Sequence, residues 1–391
     1  MTTLDGTNAD THTTPQDVLA SARALAPAIA ARAAEIEAAR RVPRDLLDDI
    51  ARAGCFRLVL PPSHGGIGAD LPSALRVYEA LAAADTSVAW ITMIGGGSWI
   101  DLAGLPRASF DALFPGTGEV IVAGVFSPSG TIGAVDGGYR VNGRWSFASG
   151  CEHADLIFGN CVEGIVDGVP QLRIAVLSPD DVVIEDTWTV SGLRGTGSHH
   201  FRVDDVVVRA DRTLMPLADE PCLDAPIVHI PAPALFAPMI AGVALGTARA
   251  ALDDIEALAT GKVPLLDAAP LATNPTFQFD LATADTELRA ARALLHETTA
   301  SVWDTAERGD PFTLEQRARA RAAAAWVTAR AAATVDTAYR AGGGSSLYAD
   351  SPLQRRLRDV HAITQHFLVK PDTLRTAGAI LAGQEPDVMV F

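Results

Sequence analysis

Hydrophobic positions change their spacing twice along the chain. From Val18 to Phe114 apolar residues recur at helical spacing, interrupted by a loop at 61–71. Between Glu119 and Val208 they form short runs of Val, Ile and Phe, separated by the tight-turn sequences Asp-Gly-Gly at 136–138 and Asn-Gly at 142–143, which is typical of strands. Helical spacing then returns in four long segments: Met239–Ala259, Phe277–Glu307, Leu314–Arg340 and Leu353–Ala382.

The three successive patterns of hydrophobic spacing predict an α+β chain of three domains. We expect an N-terminal helical domain at 17–117, a middle β-barrel domain at 118–222 and a C-terminal four-helix bundle at 223–391. Residues 1–16 are polar and lack an apolar run, so we expect a disordered leader there and not a signal peptide. The uncharged stretch 231–248 carries three prolines and two glycines, which favours a buried helix over a membrane span.

Composition excludes several classes of function. The net charge of −16 argues against a nucleic-acid partner, because phosphate binding needs clustered Lys and Arg. The four cysteines show no Cys-x-x-Cys spacing, which favours reduced thiols in a cytoplasmic protein. Histidines and carboxylates form no convincing set of metal ligands, and no Gly-x-Gly-x-x-Gly motif follows a strand to bind a nicotinamide dinucleotide.

Sequence motifs in three regions occur in the order found in one family. They are GCFRLVLPPSHGGIG at 54–68 with EALAAAD at 79–85, YRVNGRWSFASG at 139–150, and WTVSGLRGTGS at 188–198. Together they resemble the acyl-CoA dehydrogenase superfamily. The resemblance implies its three-part fold, a flavin site and a homotetramer.

The segment RDVHAITQHF at 358–367 indicates the branch of that superfamily. Members that oxidise acyl-CoA use a glutamate base just after this Arg-Asp pair or on an earlier bundle helix. This chain has Phe367 at the first place and no carboxylate near Ala237 and Pro238 at the second. It is closer to the flavin-dependent monooxygenase branch, whose members carry a histidine near His366.

That branch implies the oxygenase component of a two-component monooxygenase. Such a protein receives reduced FMN or FAD from a separate NAD(P)H:flavin reductase. It then uses O2, through a C4a-hydroperoxide, to oxygenate an aromatic, heteroaromatic or polycyclic small molecule. Two other functions stay open: a dehydrogenase resembling the acyl-CoA enzymes, which its substrate would reduce without oxygen, and a non-catalytic flavin-binding protein, which would bind flavin without turnover.

The resemblance also implies roles for individual residues. His366, expected on the last bundle helix, would act as a neutral imidazole base, and Ser149 would face flavin N5. The residues implied to bind the cofactor are Phe126 and Ser127 at a strand end, Phe147, Ser149, Gly150, Ser198, Gly343 and Gly344. The residues implied to line the substrate cavity are Trp90, Ser98, Trp99, His153 and His366.

Each of these residues also has an ordinary structural interpretation. A Ser-Gly pair at a strand end is common in turns, and the glycines at 342–344 could cap a helix. A helical histidine is more often a buried group with one hydrogen bond. Asp359 is expected to pair with Arg355 or Arg356. Several relatives carry a histidine near 94–99, where this chain has glycines and Ser98, so we expect a roomier cavity.

Overall fold

The N-terminal boundary differs from the prediction. The computed structural model describes residues 13–116, 119–216 and 218–386, so residues 1–12 of the predicted leader lie outside the described residues. Helix α1, Pro15–Ala31, begins inside that leader because Thr14 and Asp17 form a capping box, each side chain accepting from the other's backbone N–H. The expectation of disorder is therefore wrong for residues 14–16.

Five further helices complete the N-terminal region. They are α2 (Ala33–Ala39), α3 (Arg44–Arg52), α4 (Leu71–Ala84), α5 (Thr86–Gly97) and α6 (Arg107–Leu113). Asp85 separates α4 from α5 and caps α5, since its carboxylate accepts from Val88 N at 3.1 Å. Helix α5 is buried along nearly its whole length, which places Trp90 in the interior.

The middle region is an open sheet of seven strands in the described part of the chain. The strands are β1 (Val122–Val135), β2 (Gly138–Ala148), β3 (Leu156–Val166), β4 (Val169–Leu177), β5 (Val183–Glu185), β6 (His199–Arg209) and β7 (Thr213–Leu214). Their order is β5-β6-β2-β1-β3-β4-β7, with β1 and β3 parallel and the other pairs antiparallel. In the described residues the sheet does not close into the predicted β-barrel, because its end strands β5 and β7 do not pair with each other.

One of the two predicted turns is correct. Gly137 has a φ of +83° in the turn that joins β1 to β2, with Val135 paired to Gly138. Asn142-Gly143, in contrast, lies inside β2, where the register with β6 shifts. The Asn142 side chain accepts there from Asp205 N at 2.8 Å, so the pair marks a strand irregularity and no reversal of the chain.

Five α-helices follow the sheet in the described part of the chain. They are α7 (Ala232–Gly261), α8 (Pro275–Glu307), α9 (Leu314–Gly342), α10 (Pro352–Ile363) and α11 (Asp372–Leu381). Helix α7 is long and apolar enough to span a membrane, but 94% of its most apolar window is buried inside the protein, as expected for a core helix. The predicted last helix is broken between Ile363 and Asp372, where Pro371 disfavours a continuous helix.

The loop 192–198 joins the three regions by close packing. A Cβ on Gly192 would lie 2.0 Å from the carbonyl oxygen of Arg358 in α10, and one on Gly195 would lie 2.2 Å from Ile36 in α2. Between them, Leu193 N donates to Asp359 Oδ1 at 2.7 Å. Asp359 therefore accepts this hydrogen bond in place of the expected arginine pair, and Arg356 pairs with Asp254.

Gly192→Ala should lower stability, because the added methyl group would overlap the α10 backbone. Overpacking of this kind typically costs about 1–3 kcal/mol. Gly133→Ala is the matched control, since a Cβ at Gly133 meets nothing within 4 Å. Thermal unfolding would measure both variants. Equal midpoints for the two would contradict the close packing of this loop against α10.

Candidate active site

Ser149 lies where β2 ends beside helix α5. Its Oγ accepts from Trp90 Nε1 at 3.0 Å and lies 2.8 Å from Ser198 Oγ. All three residues are almost fully buried. The fold thus brings together three residues that were predicted from separate parts of the sequence: two as cofactor contacts, and Trp90 as a residue of the substrate cavity.

The hydrogen bonds continue from Ser198 into the 192–198 loop. Ser198 Oγ lies 2.6 Å from Thr196 Oγ1, which donates to the carbonyl oxygen of Leu193 at 2.8 Å. Gly150 N also donates to Thr196 O, at 2.9 Å. Of this loop only Ser198 was predicted as a site residue, and the contacts of Thr196 and Leu193 with it were not predicted. The hydroxyl of Thr196 in the GTGS sequence was the available signal.

His366 approaches the same site from the C-terminal region. Its ring centroid lies 5.7 Å from that of Trp90, so Trp90 contacts both Ser149 and His366. The predicted position on a helix is wrong. His366 follows the end of α10 in an extended conformation, and its Nδ1 accepts from Leu368 N at 3.3 Å.

That hydrogen bond determines the tautomer of His366. Because Nδ1 accepts, the proton of the neutral ring is assigned to Nε2. Burial, and to a smaller extent the positive charge of Arg321, together lower the pKa of His366 to about 4. The imidazole is therefore neutral near pH 7 and presents an N–H group at Nε2.

An exposed aromatic surface adjoins Ser149. Phe147 is 68% exposed and has a φ of +71°, a conformation that non-glycine residues seldom adopt and that is often found at functional sites. The rings of Trp188 and His200 each lie 6.1 Å from it. This surface beside a buried hydroxyl fits a planar ring system with polar atoms on its edge, such as a flavin.

Phe126 and Ser127 occupy a different place from the one predicted. Both are exposed, but they lie within β1 and not at a strand end. The pairing of β1 with β3 shifts its register between Val125 and Gly130, and Asn160 Nδ2 donates to Phe126 O at 2.8 Å. The irregularity takes this part of β1 out of regular pairing.

The glycine loop after α9 has a cationic neighbour. Gly343 has a φ of +52°, and a Cβ on Gly344 would meet nothing within 4 Å, so the backbone there is open. Lys262 Nζ donates to Gly342 O at 2.7 Å and to Ser345 Oγ at 2.8 Å. The sequence analysis missed this lysine. An ammonium group beside an open glycine backbone suits an anionic ligand such as a phosphate.

Three predicted cavity residues have other surroundings. Trp99 is buried with its ring 6.1 Å from Phe110, and Ser98 is buried beside it in a short 3-10 helix. His153 lies towards the backbone of Val42, and burial lowers its pKa. In the described residues their side chains form no hydrogen bond or ring contact with Ser149 or His366, so their role in substrate binding stays a prediction.

Two of the glycines of α5 serve close packing and leave no space for a substrate beside them. A Cβ on Gly96 would lie 2.6 Å from the carbonyl oxygen of Phe56, and one on Gly95 would lie 3.1 Å from the Phe56 ring. These two glycines let α5 pack closely on Phe56. A Cβ on Gly97 would meet only ordinary contacts, 3.4 Å from Met239 and 3.5 Å from Phe236, so a roomier cavity at this end of α5 stays a prediction.

Comparison with known proteins identifies the family. The model of the acyl-CoA dehydrogenase N-terminal domain matches residues 14–104, and that of the acyl-CoA dehydrogenase C-terminal domain matches residues 238–371. The chain is 32% identical to an indole-3-acetate monooxygenase of Pseudomonas putida, over 91% of each chain. It is also 32% identical to the flavin-dependent monooxygenase, oxygenase subunit HsaA, of Rhodococcus jostii, over 89% of this chain and 94% of that one.

The chain belongs to the flavin-dependent monooxygenase branch of the acyl-CoA dehydrogenase superfamily. A solved structure supports this: the 3-HSA hydroxylase from Rhodococcus sp. RHA1 superposes with a TM-score of 0.87 at 29% identity, over 96% of this chain and 99% of that one. The predicted family and enzyme class are confirmed.

The burial of His366 in this monooxygenase should appear in the pH dependence of stability. The pKa is lowered from its usual 6.5 to about 4, so the unfolded chain binds this proton more readily than the folded one. The stabilising contribution is complete above about pH 6.5 and is lost as the pH falls towards 4. The melting temperature of the wild type should therefore fall more steeply across this window than that of His366→Gln.

His361→Gln is the control for this measurement. His361 is exposed on α10 and its Nε2 lies 2.8 Å from Asp336. If His366→Gln follows the wild type at every pH, the imidazole is not buried as described.

Proposed function

We propose that this protein is the oxygenase component of a two-component flavin monooxygenase. It would take reduced flavin from a separate NAD(P)H:flavin reductase and insert one atom of O2 into an aromatic, heteroaromatic or polycyclic small molecule. One observation carries the proposal: the ring of Trp90 contacts both the hydroxyl of Ser149, beside an exposed aromatic surface, and the imidazole of His366. The similarity to an indole-3-acetate monooxygenase supports the aromatic substrate class.

The residues around Ser149 would hold the flavin. Ser149 would hydrogen-bond the ring edge at N5, with Phe147 along the ring and with Phe126, Ser127 and Gly150 completing the contacts. Ser198 would contribute to the cofactor site through its 2.8 Å bond to Ser149 Oγ. The bound reduced flavin supplies the two electrons that activate O2. Burial of Trp90 and Ser149 keeps water from this edge, which strengthens each polar contact made there.

His366 would act on the substrate through Nε2. The sequence suggested a base, which needs a free lone pair on the nitrogen that faces the substrate. In the structure Nδ1 is occupied by Leu368 N, so Nε2 presents a proton. We therefore propose that His366 donates a hydrogen bond to a hydroxyl or heteroatom of the substrate and orients it, and that it acts as a base only if the bond to Leu368 opens.

The proposal also covers the oligomeric state, the domains and the location of the flavin tail. We propose a cytoplasmic homotetramer in which Gly343 and Gly344, with Lys262, meet the phosphate-bearing tail of FMN or FAD bound to a neighbouring subunit. The C-terminal helices would form the four-helix bundle of residues 223–391, after a helical domain at 17–117 and a middle domain at 118–222. Lys262 beside the open glycine backbone supports this location for the tail.

The purified protein alone should not oxidise NADH, because reduction of the flavin would occur on the reductase. Addition of a flavin reductase, NADH and flavin should start oxygen consumption, and an aromatic substrate such as indole-3-acetate tests for product. Both can be followed with an oxygen electrode and chromatography. Flavin-dependent consumption of NADH by the pure chain would contradict the two-component assignment.

His366→Ala should keep flavin binding and oxygen consumption but lose product. Removal of a positioned hydrogen-bond donor typically costs about 100-fold or more in rate. His366→Gln should recover part of the coupling if His366 is a donor, since the amide nitrogen of Gln can replace Nε2–H. It should behave like Ala if His366 is a base.

The measurement is the ratio of product to hydrogen peroxide formed per O2 consumed. His361→Ala, on the exposed side of α10, is the control and should keep the wild-type ratio. Full coupling in His366→Ala would remove this residue from the mechanism. Anaerobic reduction of the bound flavin by an acyl-CoA would favour the dehydrogenase alternative.

A further inference from the structure

The hydrogen bonds around Ser149 form one chain whose two ends have fixed polarity. At one end Trp90 Nε1 can only donate, and at the other the carbonyl oxygen of Leu193 can only accept. Between them lie the three hydroxyls of Ser149, Ser198 and Thr196, with one proton each. All three are nearly fully buried, so water does not compete freely for these protons.

The direction of every bond in this chain follows from the end at Leu193. Thr196 uses its proton on Leu193 O at 2.8 Å, so Ser198 must supply the proton of the 2.6 Å bond to Thr196. The proton of Ser198 is then used, so Ser149 must supply the proton of the 2.8 Å bond to Ser198. Trp90 donates to Ser149 from the other side. Ser149 is left with a lone pair and no proton for a ligand.

This polarity matters because flavin N5 changes its hydrogen-bonding character with redox state. In reduced flavin N5 carries a hydrogen and donates, whereas in oxidised flavin N5 has only a lone pair and accepts. We propose that the chain from Trp90 to Leu193 makes Ser149 a one-way acceptor that selects reduced over oxidised flavin, with Ser198 and Thr196 as positioning residues. The inference rests on the proposed function, and it accounts for release of oxidised flavin to a reductase.

The end of the chain is held from the C-terminal region. Leu193 has a φ of +53°, and its N–H donates to Asp359 Oδ1 at 2.7 Å. Its carbonyl oxygen also accepts from Trp188 Nε1 at 2.9 Å. These bonds fix the orientation of the acceptor that sets the direction of the whole chain.

The test compares the dissociation constants of oxidised and of anaerobically reduced flavin for each variant. FMN and FAD are the probes, followed by fluorescence or calorimetry. Thr196→Val and Ser198→Ala each remove one link, so the Ser149 proton becomes free to turn towards N5. We expect the ratio of the oxidised to the reduced constant to fall about tenfold, mainly through tighter binding of oxidised flavin, since one hydrogen bond is worth roughly that factor.

Three matched variants separate polarity from packing. Thr196→Ser keeps the hydroxyl and should keep the wild-type ratio. Trp90→Phe removes a donor to Ser149 but leaves the Ser149 proton on Ser198. It should therefore raise both dissociation constants by the same factor and leave their ratio unchanged. Thr299→Val removes a buried hydroxyl that donates to Leu295 O in α8, and it should change neither constant.

The outcomes distinguish the inferred polarity of the hydroxyl chain from the proposed function. A wild-type ratio in both Thr196→Val and Ser198→Ala would overturn the inference while leaving flavin binding intact. The inference would also be overturned if Trp90→Phe lost as much selectivity for reduced flavin as Thr196→Val and Ser198→Ala. Failure of the wild type to bind either form of FMN or FAD would instead overturn the proposed function. If Thr196→Val does not fold, Ser198→Ala alone carries the comparison.

Discussion

The hydrogen bond between Leu193 N and Asp359 Oδ1 is the contact on which the site depends. It joins the loop before β6 to helix α10, and Gly192 permits it by leaving no Cβ to overlap the backbone of Arg358. Because Leu193 is held in a left-handed conformation, its carbonyl points back to receive the hydroxyl of Thr196. Packing of the 192–198 loop against α10 thereby orients the hydrogen bonds that reach Ser149 at the end of β2.

Burial of the Asp359 carboxylate costs free energy, and the hydrogen bond from Leu193 N offsets that cost only in part. Burial raises the pKa of Asp359 to about 7, and the neighbouring carboxylate of Asp85 raises it in the same direction. The bond from Leu193 N favours the charged form and opposes both effects. Since folding raises this pKa, the contribution of Asp359 to stability is complete at low pH and is lost as the pH rises through about 7. Residues that act at functional sites often carry such a cost.

Neutral groups dominate the chemistry at the proposed site. His366 is uncharged near pH 7 because burial and the nearby Arg321 lower its pKa, and Ser149, Ser198 and Trp90 carry no charge. In our proposal, selectivity among ligands comes from the direction of hydrogen bonds and from shape. The exposed ring of Phe147, held at a positive φ, provides the shape, and the hydroxyl chain provides the direction.

The sequence by itself determined the family and the order of helical and strand regions, because motifs and periodicity are local properties. It also selected Ser149, Ser198 and Trp90 as candidates, but not their contacts with one another. It did not determine the end of α10 before His366, the open edges of the sheet, or the partner of Asp359. Those depend on which backbone groups become neighbours after folding. The direction of the hydroxyl chain is likewise a tertiary property, since Trp90 and Leu193 lie far apart in the sequence and only their placement at opposite ends of the chain orients its protons.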